Sequence, residues 1–371
     1  MQCVSCLVRA AVLAAAWAVS SVQAEAPRYR AEVIGTSRTD TGALALNNEG
    51  VVAGRRQFGN GEPGHFIYRD GRIERLQGLD GLAELLDIND RGEIAGRNYL
   101  PNRFPYAMIY RDGRGIDISA PLGFFVGDAN ATAINEAGHA VGYAGSRLFF
   151  HDGQTTRYVS HPDLDNRAML VARDLNDQDA FVGFNVFDAR GDDFAFVVRD
   201  GQLTRIPGLD GGWALQAHAL NNAGQVVGAT PLPGFGYRPY LYSNGVTTEL
   251  GSLRGGDPHE NAEAVDINEQ GWIVGASYAP DSDGIGFLYQ DGRMHRIEDL
   301  VTPAAAARWD VFQPLRINDM GQILASAVDA RGKVSYTLLL SPVPEPEAWV
   351  VALAGIGLVG AVVRRRRYQA S

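Results

Sequence analysis

Apolar and polar residues follow one pattern that returns seven times along the chain. Each copy has an apolar residue, an asparagine, two mostly polar residues, a glycine (Asp179 in the fourth copy) and a short apolar run. The copies read ALNNEGVVAG, DINDRGEIAG, AINEAGHAVG, DLNDQDAFVG, ALNNAGQVVG, DINEQGWIVG and RINDMGQILA. An asparagine that opens a four-residue turn can bond to the backbone ahead of it, and glycine accepts the left-handed conformation that closes the turn. The pattern therefore predicts a hairpin with a strand on each side.

A second hairpin follows most copies, with Asp-Gly or Asn-Gly at its tip between apolar strands. It reads HFIYRDGRIERL, AMIYRDGRGIDI, LFFHDGQTTRY, FAFVVRDGQLTRI, YLYSNGVTTEL and GFLYQDGRMHRI. These dipeptides are the strongest short-range signal of a β-hairpin. Each repeat thus contains four short strands.

The repeat length selects the fold class. The marker residues are Asn47, Asn89, Asn135, Asn176, Asn221, Asn268 and Asn318, separated by 42, 46, 41, 45, 47 and 50 residues. Four antiparallel strands in each repeat of that length predict an all-β chain folded as a β-propeller with seven four-stranded blades. Only six copies have the second hairpin, so we expect residues 29–36 to supply the missing outer strand and to close the ring in a blade shared by both ends. Two copies are irregular, since Asp179 replaces the turn glycine and Ala325 replaces the glycine that ends the apolar run.

The repeat resembles the HAF family of extracellular repeats, in which a turn of the INxxGxVVG type leads to an apolar strand and an xDG hairpin. The resemblance covers residues 29–342. It departs in the His-Ala-Phe element, since His65-Phe66 lacks the alanine and Ala195-Phe196 lacks the histidine. The family supplies no catalytic residues to carry over.

The N-terminus has the layout of a secretory signal peptide at residues 1–24, with one arginine, a short apolar core and small residues before Glu25. We expect signal peptidase to cleave after Ala24; the alternative is an uncleaved signal anchor. Both cysteines, Cys3 and Cys6, lie in this segment. The exported product would therefore have no disulfide, Cys-ligated metal or cysteine nucleophile.

The C-terminus, residues 343–371, has three parts in a fixed order. A Pro344-Glu345-Pro346 motif comes first, an apolar segment at 348–363 is a predicted transmembrane helix, and four arginines follow it (Arg364, Arg365, Arg366, Arg367). This tail resembles the PEP-CTERM sorting signal. The resemblance implies that an exosortase-type membrane enzyme is a partner, that the helix anchors the chain transiently in the inner membrane, and that the product reaches the cell surface or extracellular matrix. The alternative is an ordinary tail anchor. The repeats then occupy residues 25–342.

Charge and motifs narrow the function further. The net charge of −10 over 371 residues makes nucleic acid an unsuitable partner, because phosphates require a basic surface. The seven histidines show no zinc-site spacing, and the carboxylates of the loops do not form a calcium-binding loop pattern. No nucleophile elbow, phosphate loop or dinucleotide fingerprint occurs. We therefore expect no catalytic residue, cofactor or metal.

The long connections between strands differ in every copy, and they should share one face of the ring. They supply aromatic, guanidinium and imidazole groups that can stack on or hydrogen-bond to sugars. The candidate ligand residues are Tyr99, Arg103, Phe104, Tyr237, Arg238, Arg254, His259 and Tyr278. The expected function is a binding or structural role at the cell surface, associated with exopolysaccharide. The alternative is a propeller glycoside hydrolase or polysaccharide lyase, whose channel should contain converging carboxylates with perturbed pKa values.

Overall fold

The structure is a computed structural model that describes residues 26–343 with short gaps. The gaps are residues 37–39, 60, 80–81, 100–103, 124–127, 165–168, 187–191, 232–235, 256–259, 280–281, 330 and 333. The predicted signal peptide, the sorting-signal residues and the predicted transmembrane segment 348–363 lie outside the described residues. Within the described residues, no helix has the length and apolar character needed to cross a membrane.

Each blade is a four-stranded antiparallel sheet whose strands follow one another from the axis of the ring outward. Blade 1 contains β2 (Asp40–Leu46), β3 (Val52–Gln57), β4 (Pro63–Arg69) and β5 (Arg72–Arg75). Blade 2 contains β6 (Glu84–Ile88), β7 (Ile94–Asn98), β8 (Tyr106–Arg111) and β9 (Arg114–Asp117). Blade 3 contains β10 (Ala129–Ile134), β11 (Ala140–Ala144), β12 (Arg147–His151) and β13 (Thr156–Tyr158). Blade 4 contains β14 (Met169–Leu175), β15 (Phe181–Val186), β16 (Ala195–Arg199) and β17 (Gln202–Arg205).

The remaining three blades follow the same order. Blade 5 contains β18 (Gln216–Leu220), β19 (Val226–Pro231), β20 (Tyr237–Ser243) and β21 (Val246–Glu249). Blade 6 contains β22 (Asn261–Ile267), β23 (Ile273–Ala279), β24 (Ser282–Gln290) and β25 (Arg293–Arg296). Blade 7 contains β26 (Trp309–Ile317), β27 (Ile323–Asp329), β28 (Ser335–Val343) and β1 (Arg28–Thr36). Two short helices, α1 (Ile297–Leu300) and α2 (Pro303–Ala306), join blades 6 and 7, and a 3-10 turn (Ala120–Leu122) follows β9.

The innermost strands contact one another all the way round, including β2 with β26, so the blades close into a ring. The seven-bladed propeller predicted from the repeats is therefore confirmed. The prediction for the ends of the chain is also confirmed. Strand β1 pairs antiparallel with β28, from Arg28 opposite Val343 to Thr36 opposite Tyr336, and forms the outer edge of blade 7.

The turns have the predicted chemistry. In blade 3, the Oδ1 atom of Asn135 accepts hydrogen bonds from the backbone N–H groups of Ala137 (3.1 Å) and His139 (3.0 Å), and Gly138 has a φ of 79°. Asp179, which replaces the glycine in blade 4, adopts the same left-handed region with a φ of 60°. That blade is complete despite the substitution.

The core lies between the blades. The third strand of every blade contributes one fully buried apolar side chain at the same register position: Phe66, Met108, Phe149, Phe196, Tyr240, Phe287 and Leu338. In blades 1 to 6 these residues pair with the glycine that ends the apolar run, as Tyr240 pairs with Gly228. A Cβ on Gly228 would lie 2.0 Å from the Gln216 carbonyl oxygen and 3.0 Å from the Tyr240 hydroxyl. The glycine thus makes room for both the inner strand and the aromatic ring, and blade 7 combines Ala325 with the aliphatic Leu338.

Candidate functional site

The strand order divides the ring into two faces. In every blade the asparagine turn follows the innermost strand, and in blades 1 to 6 the second hairpin follows the third strand, so both lie on one face, which we name the turn face. The other two connections lie on the opposite face, which we name the loop face. Any ligand that enters between the variable connections therefore approaches from the loop face.

The seven turn asparagines form a closed ring of hydrogen bonds between blades. Each Nδ2 atom donates to the backbone carbonyl of the equivalent asparagine in the next blade, over 2.8 to 3.2 Å. The last of these bonds, from Asn318 to Asn47, closes the ring. All seven side chains are buried. Each asparagine therefore shapes its own turn and also joins two blades, a second role that sequence reasoning missed.

The residues that follow these asparagines form a second ring on the turn face. Each backbone N–H donates to the side chain of the equivalent residue in the next blade, over 2.8 to 3.0 Å. The ring consists of Asn48, Asp90, Glu136, Asp177, Asn222, Glu269 and Asp319. Burial raises the pKa of Glu136 and Glu269. All seven side chains accept a hydrogen bond within the ring, so at this end of the channel they stabilise the contacts between blades.

Three aspartates face the channel two positions before the asparagine in alternate blades: Asp87, Asp174 and Asp266. In each, one oxygen accepts the N–H of the next residue and the other accepts an N–H from the neighbouring blade. Asp174 illustrates this arrangement, with 2.8 Å bonds from Leu175 and from Leu220. Burial raises the pKa of Asp87 to about 6 and that of Asp266 to about 7, and it also raises the pKa of Asp174. No group of three or more His, Cys, Asp and Glu residues is arranged to hold a metal ion among the described residues.

The central channel contains a cavity of about 570 Å³. Its lining includes Glu84, the first residue of β6 on the loop face, and extends to Ile317, beside the asparagine ring. Each innermost strand has a bulge, and two residues at bulge positions, Arg173 and His218, line the cavity. Burial and the nearby positive charge of Arg173 lower the pKa of His218 to about 4, so this imidazole is neutral at neutral pH. Nδ1 of His218 lies 2.9 Å from the Ala264 carbonyl oxygen.

The arginines of the cavity differ in their partners. Arg97 donates to Glu84 over 2.6 Å, whereas Arg316 donates to the carbonyl oxygen of its neighbour Leu315 over 2.8 Å. Arg173 is exposed to the channel, and neither Arg173 nor Arg316 forms an ion pair with a carboxylate in the part of the chain that the structure describes. The surrounding channel walls desolvate the Arg173 guanidinium and lower its pKa, and the positive charge of Arg316 lowers it further. The cavity thus combines hydrogen-bonded carboxylates with two guanidinium groups that form no ion pair within the described ranges.

The ligand residues predicted from the sequence do not form one group. Phe104 and Tyr237 are exposed, by 66 % and 36 %, whereas Tyr99, Arg254 and Tyr278 are half-buried. The guanidinium of Arg97 lies 5.6 Å from the ring centre of Tyr99 and links that residue to the channel. Arg103 and His259 lie outside the described residues.

Arg238 requires a correction, because it is not a loop residue on the surface. It is the second residue of β20, and only 2 % of it is exposed. Its Nη1 atom donates to the Glu260 carbonyl oxygen over 2.8 Å and lies 3.8 Å from the carboxylate of Glu260, which is fully buried. That carboxylate also accepts hydrogen bonds from the hydroxyls of Ser252 and Ser277. Arg238 therefore neutralises a buried charge between blades 5 and 6.

Sequence reasoning also missed the three channel aspartates, although the sequence contains a signal for them. Aspartate precedes the asparagine by two positions in DIND, DLND and DINE, and alanine takes this position in three of the other copies. This alternation indicates that the position has two environments. The sequence does not indicate that each carboxylate reaches the next blade, because that contact depends on the bulge in the innermost strand.

Comparison with known proteins finds a sorting motif near the C-terminus. Residues 342–367 match the model of the PEP-CTERM protein-sorting motif. The chain carries a PEP-CTERM sorting motif. The motif implies export and sorting to the cell surface by an exosortase. A search of curated proteins gives no match.

Solved structures with similar folds include a β-propeller domain. The β-propeller domain of the Trilobed protease from Pyrococcus furiosus has a TM-score of 0.51 at 10% identity, over 71% of this chain and 85% of that one. The extracellular domain of a protein described as a one-component system from B. thetaiotaomicron has a TM-score of 0.50 at 10% identity, over 86% and 40%. Porphyromonas gingivalis dipeptidyl peptidase 4 has a TM-score of 0.44 at 13% identity, over 80% and 53%. At these identities the similarity concerns the fold alone.

Proposed function

We propose that this PEP-CTERM protein acts at the cell surface or in the extracellular matrix as a polysaccharide-binding protein with repeats of the HAF type. The observation that carries the proposal is the channel cavity of about 570 Å³, whose lining reaches the loop face. Cavities of about 300–1,000 Å³ are typical of ligand sites. Exposed aromatic side chains on the same face, Phe104 and Tyr237, provide flat surfaces on which a sugar ring can stack.

The experiment measures retention of the detergent-solubilised full chain on exopolysaccharide from the producing strain. The variant F104A/Y237A should lower retention, because it removes both exposed rings from the loop face. The matched control R72A/R293A changes the turn face, where β5 and β25 begin at the second hairpins. Equal loss of retention in the control would show that the loop face has no special role, and full retention in F104A/Y237A would remove the aromatic contact from the proposal.

A second candidate function is hydrolysis or elimination on the same polysaccharide, and one observation favours it. Three carboxylates of raised pKa, Asp87, Asp174 and Asp266, occupy one channel, as expected of a propeller enzyme. Each carboxylate also accepts two backbone N–H groups, which gives it a structural role. Release of reducing ends or of unsaturated sugars by the wild type, abolished in D87N/D266N, would establish the enzyme. A stable wild-type complex without product would support binding alone.

A further inference from the structure

Two guanidinium groups in the channel have no carboxylate partner among the described residues. Arg173 lies at the bulge of β14 and Arg316 lies near the end of β26, so they project from blades 4 and 7 into the same cavity. Arg205 shows the alternative arrangement, since it lies 3.2 Å from Asp163 and 3.1 Å from Asp192. Asp174 and Glu263 offset part of the positive charge of Arg173. An anion that formed paired N–H···O bonds with the guanidinium groups would add the direct contacts that these carboxylates do not make.

The channel aspartates do not take the place of such an anion. The oxygens of Asp174 accept N–H groups of Leu175 and Leu220, and those of Asp266 accept N–H groups of Ile267 and Ile317. These carboxylates are therefore held against the backbone. Asp174 attracts both arginines and Asp266 attracts Arg316, but within the described residues neither carboxylate forms an ion pair with either guanidinium.

The other groups of the channel restrict the kind of anion. A guanidinium binds carboxylate and phosphate through paired N–H···O bonds. Several carboxylates lie in or beside the cavity, including Glu84 and Glu263, and they disfavour a doubly charged ligand. The same carboxylates can accept hydrogen bonds from hydroxyl groups. A ligand with one carboxylate and several hydroxyls fits this set of groups better than phosphate or sulfate.

We propose that Arg173 and Arg316 bind the carboxylate of an acidic sugar residue, a uronic acid unit of a polysaccharide, inside the channel. The inference rests on the proposed function, because it names the chemical class of the saccharide that enters from the loop face. Tyr143 also lines the cavity and provides an aromatic ring beside Arg173. The hydroxyl groups of the sugar meet the carboxylates near the loop face, and its carboxylate meets the two arginines deeper in the channel.

The test is calorimetric titration of the solubilised full chain with glucuronate and with digalacturonate, beside glucose, phosphate and sulfate. We expect an acidic sugar to bind and R173Q to weaken its binding at least tenfold. R316Q should act in the same direction. The matched control R72Q removes an arginine from the exposed strand β5 and should leave binding unchanged. Melting curves of each variant verify that the propeller is intact.

Other outcomes of these experiments would contradict different parts of the proposal. Phosphate or sulfate bound as tightly as the acidic sugars would overturn the uronic acid assignment, and equal binding of acidic sugar by R173Q and wild type would overturn the arginine site. Absence of binding by both acidic sugars, together with retention that depends on Phe104 and Tyr237, would refute the channel site and leave the proposed function standing. Absence of acidic-sugar binding, together with retention that does not depend on Phe104 and Tyr237, would refute the proposed function as well.

Discussion

The asparagine ring predicts a specific loss of stability when one member is removed. In the variant N176A, the N–H groups of Gln178 and Ala180 lose their acceptor, and the Asn221 carbonyl loses its donor. These bonds measure 3.1, 3.0 and 3.1 Å, and Asn176 is buried. Since each such bond contributes about 1 kcal/mol and an unsatisfied buried group costs about 1–3 kcal/mol, the free energy of unfolding should fall by about 3 kcal/mol.

Denaturant unfolding of the full chain, followed by tryptophan fluorescence, measures this loss. The variant N176D separates the two roles, because it keeps an acceptor for the turn but loses the donor to Asn221. It should be less stable than wild type and more stable than N176A. The control N222A removes a neighbouring, more exposed asparagine, whose two hydrogen bonds to Asp177 are accessible to water, so it should cost less than N176A. If N176D is as stable as wild type, the bond between blades contributes nothing and the reasoning fails.

Three further predictions concern the core and the channel. R238M should lower the free energy of unfolding by about 3–5 kcal/mol, because it leaves Glu260 buried without its counter-ion. R238M/E260Q should recover much of that loss, and equal losses in both variants would contradict this reasoning. Acidification from pH 8 to pH 5 should stabilise wild type relative to D266N. Burial raises the pKa of Asp266 from 3.8 to about 7 in the folded state, so protonation of this carboxyl stabilises the fold at low pH. This stabilisation is lost as the pH rises from about 4 to about 7. Parallel pH profiles would refute it. G228A should cost about 1–3 kcal/mol by overpacking, whereas A325G should cost about 0.5–1 kcal/mol, and thermal melts compare the two.

Much of the architecture follows from local signals in the sequence. The asparagine and Asp-Gly turns fix where each strand ends, and their unequal numbers indicate that residues near the N-terminus complete the last blade. These signals work because turn conformation depends on a few adjacent residues. Asp179 and Ala325 make two copies of the repeat irregular, yet both blades are complete. Aspartate tolerates the left-handed turn, and Ala325 is opposite the aliphatic Leu338.

The candidate site was much less predictable, because it consists of contacts between blades. Tyr237 and Arg238 follow a glycine-rich connection and were assigned to a surface loop, but β20 begins at Tyr237 and turns Arg238 inward toward Glu260. Likewise, Arg173 belongs to a repeat position that has no motif of its own. It enters the channel only because each innermost strand bulges there, a property of the paired strands rather than of a single segment.

The pairing of β1 with β28 has a consequence for how the protein is made. Strand β1 is the first part of the propeller to be synthesised and exported, and its partner is the last, so the first strand must wait for the six complete blades between them. Pro342 and Val343 end β28 opposite Tyr29 and Arg28, and the sorting motif begins at residue 342. The last strand pairs of the ring therefore form only once residues 342 and 343 are available, so the end of the propeller and the start of the sorting motif share the same residues.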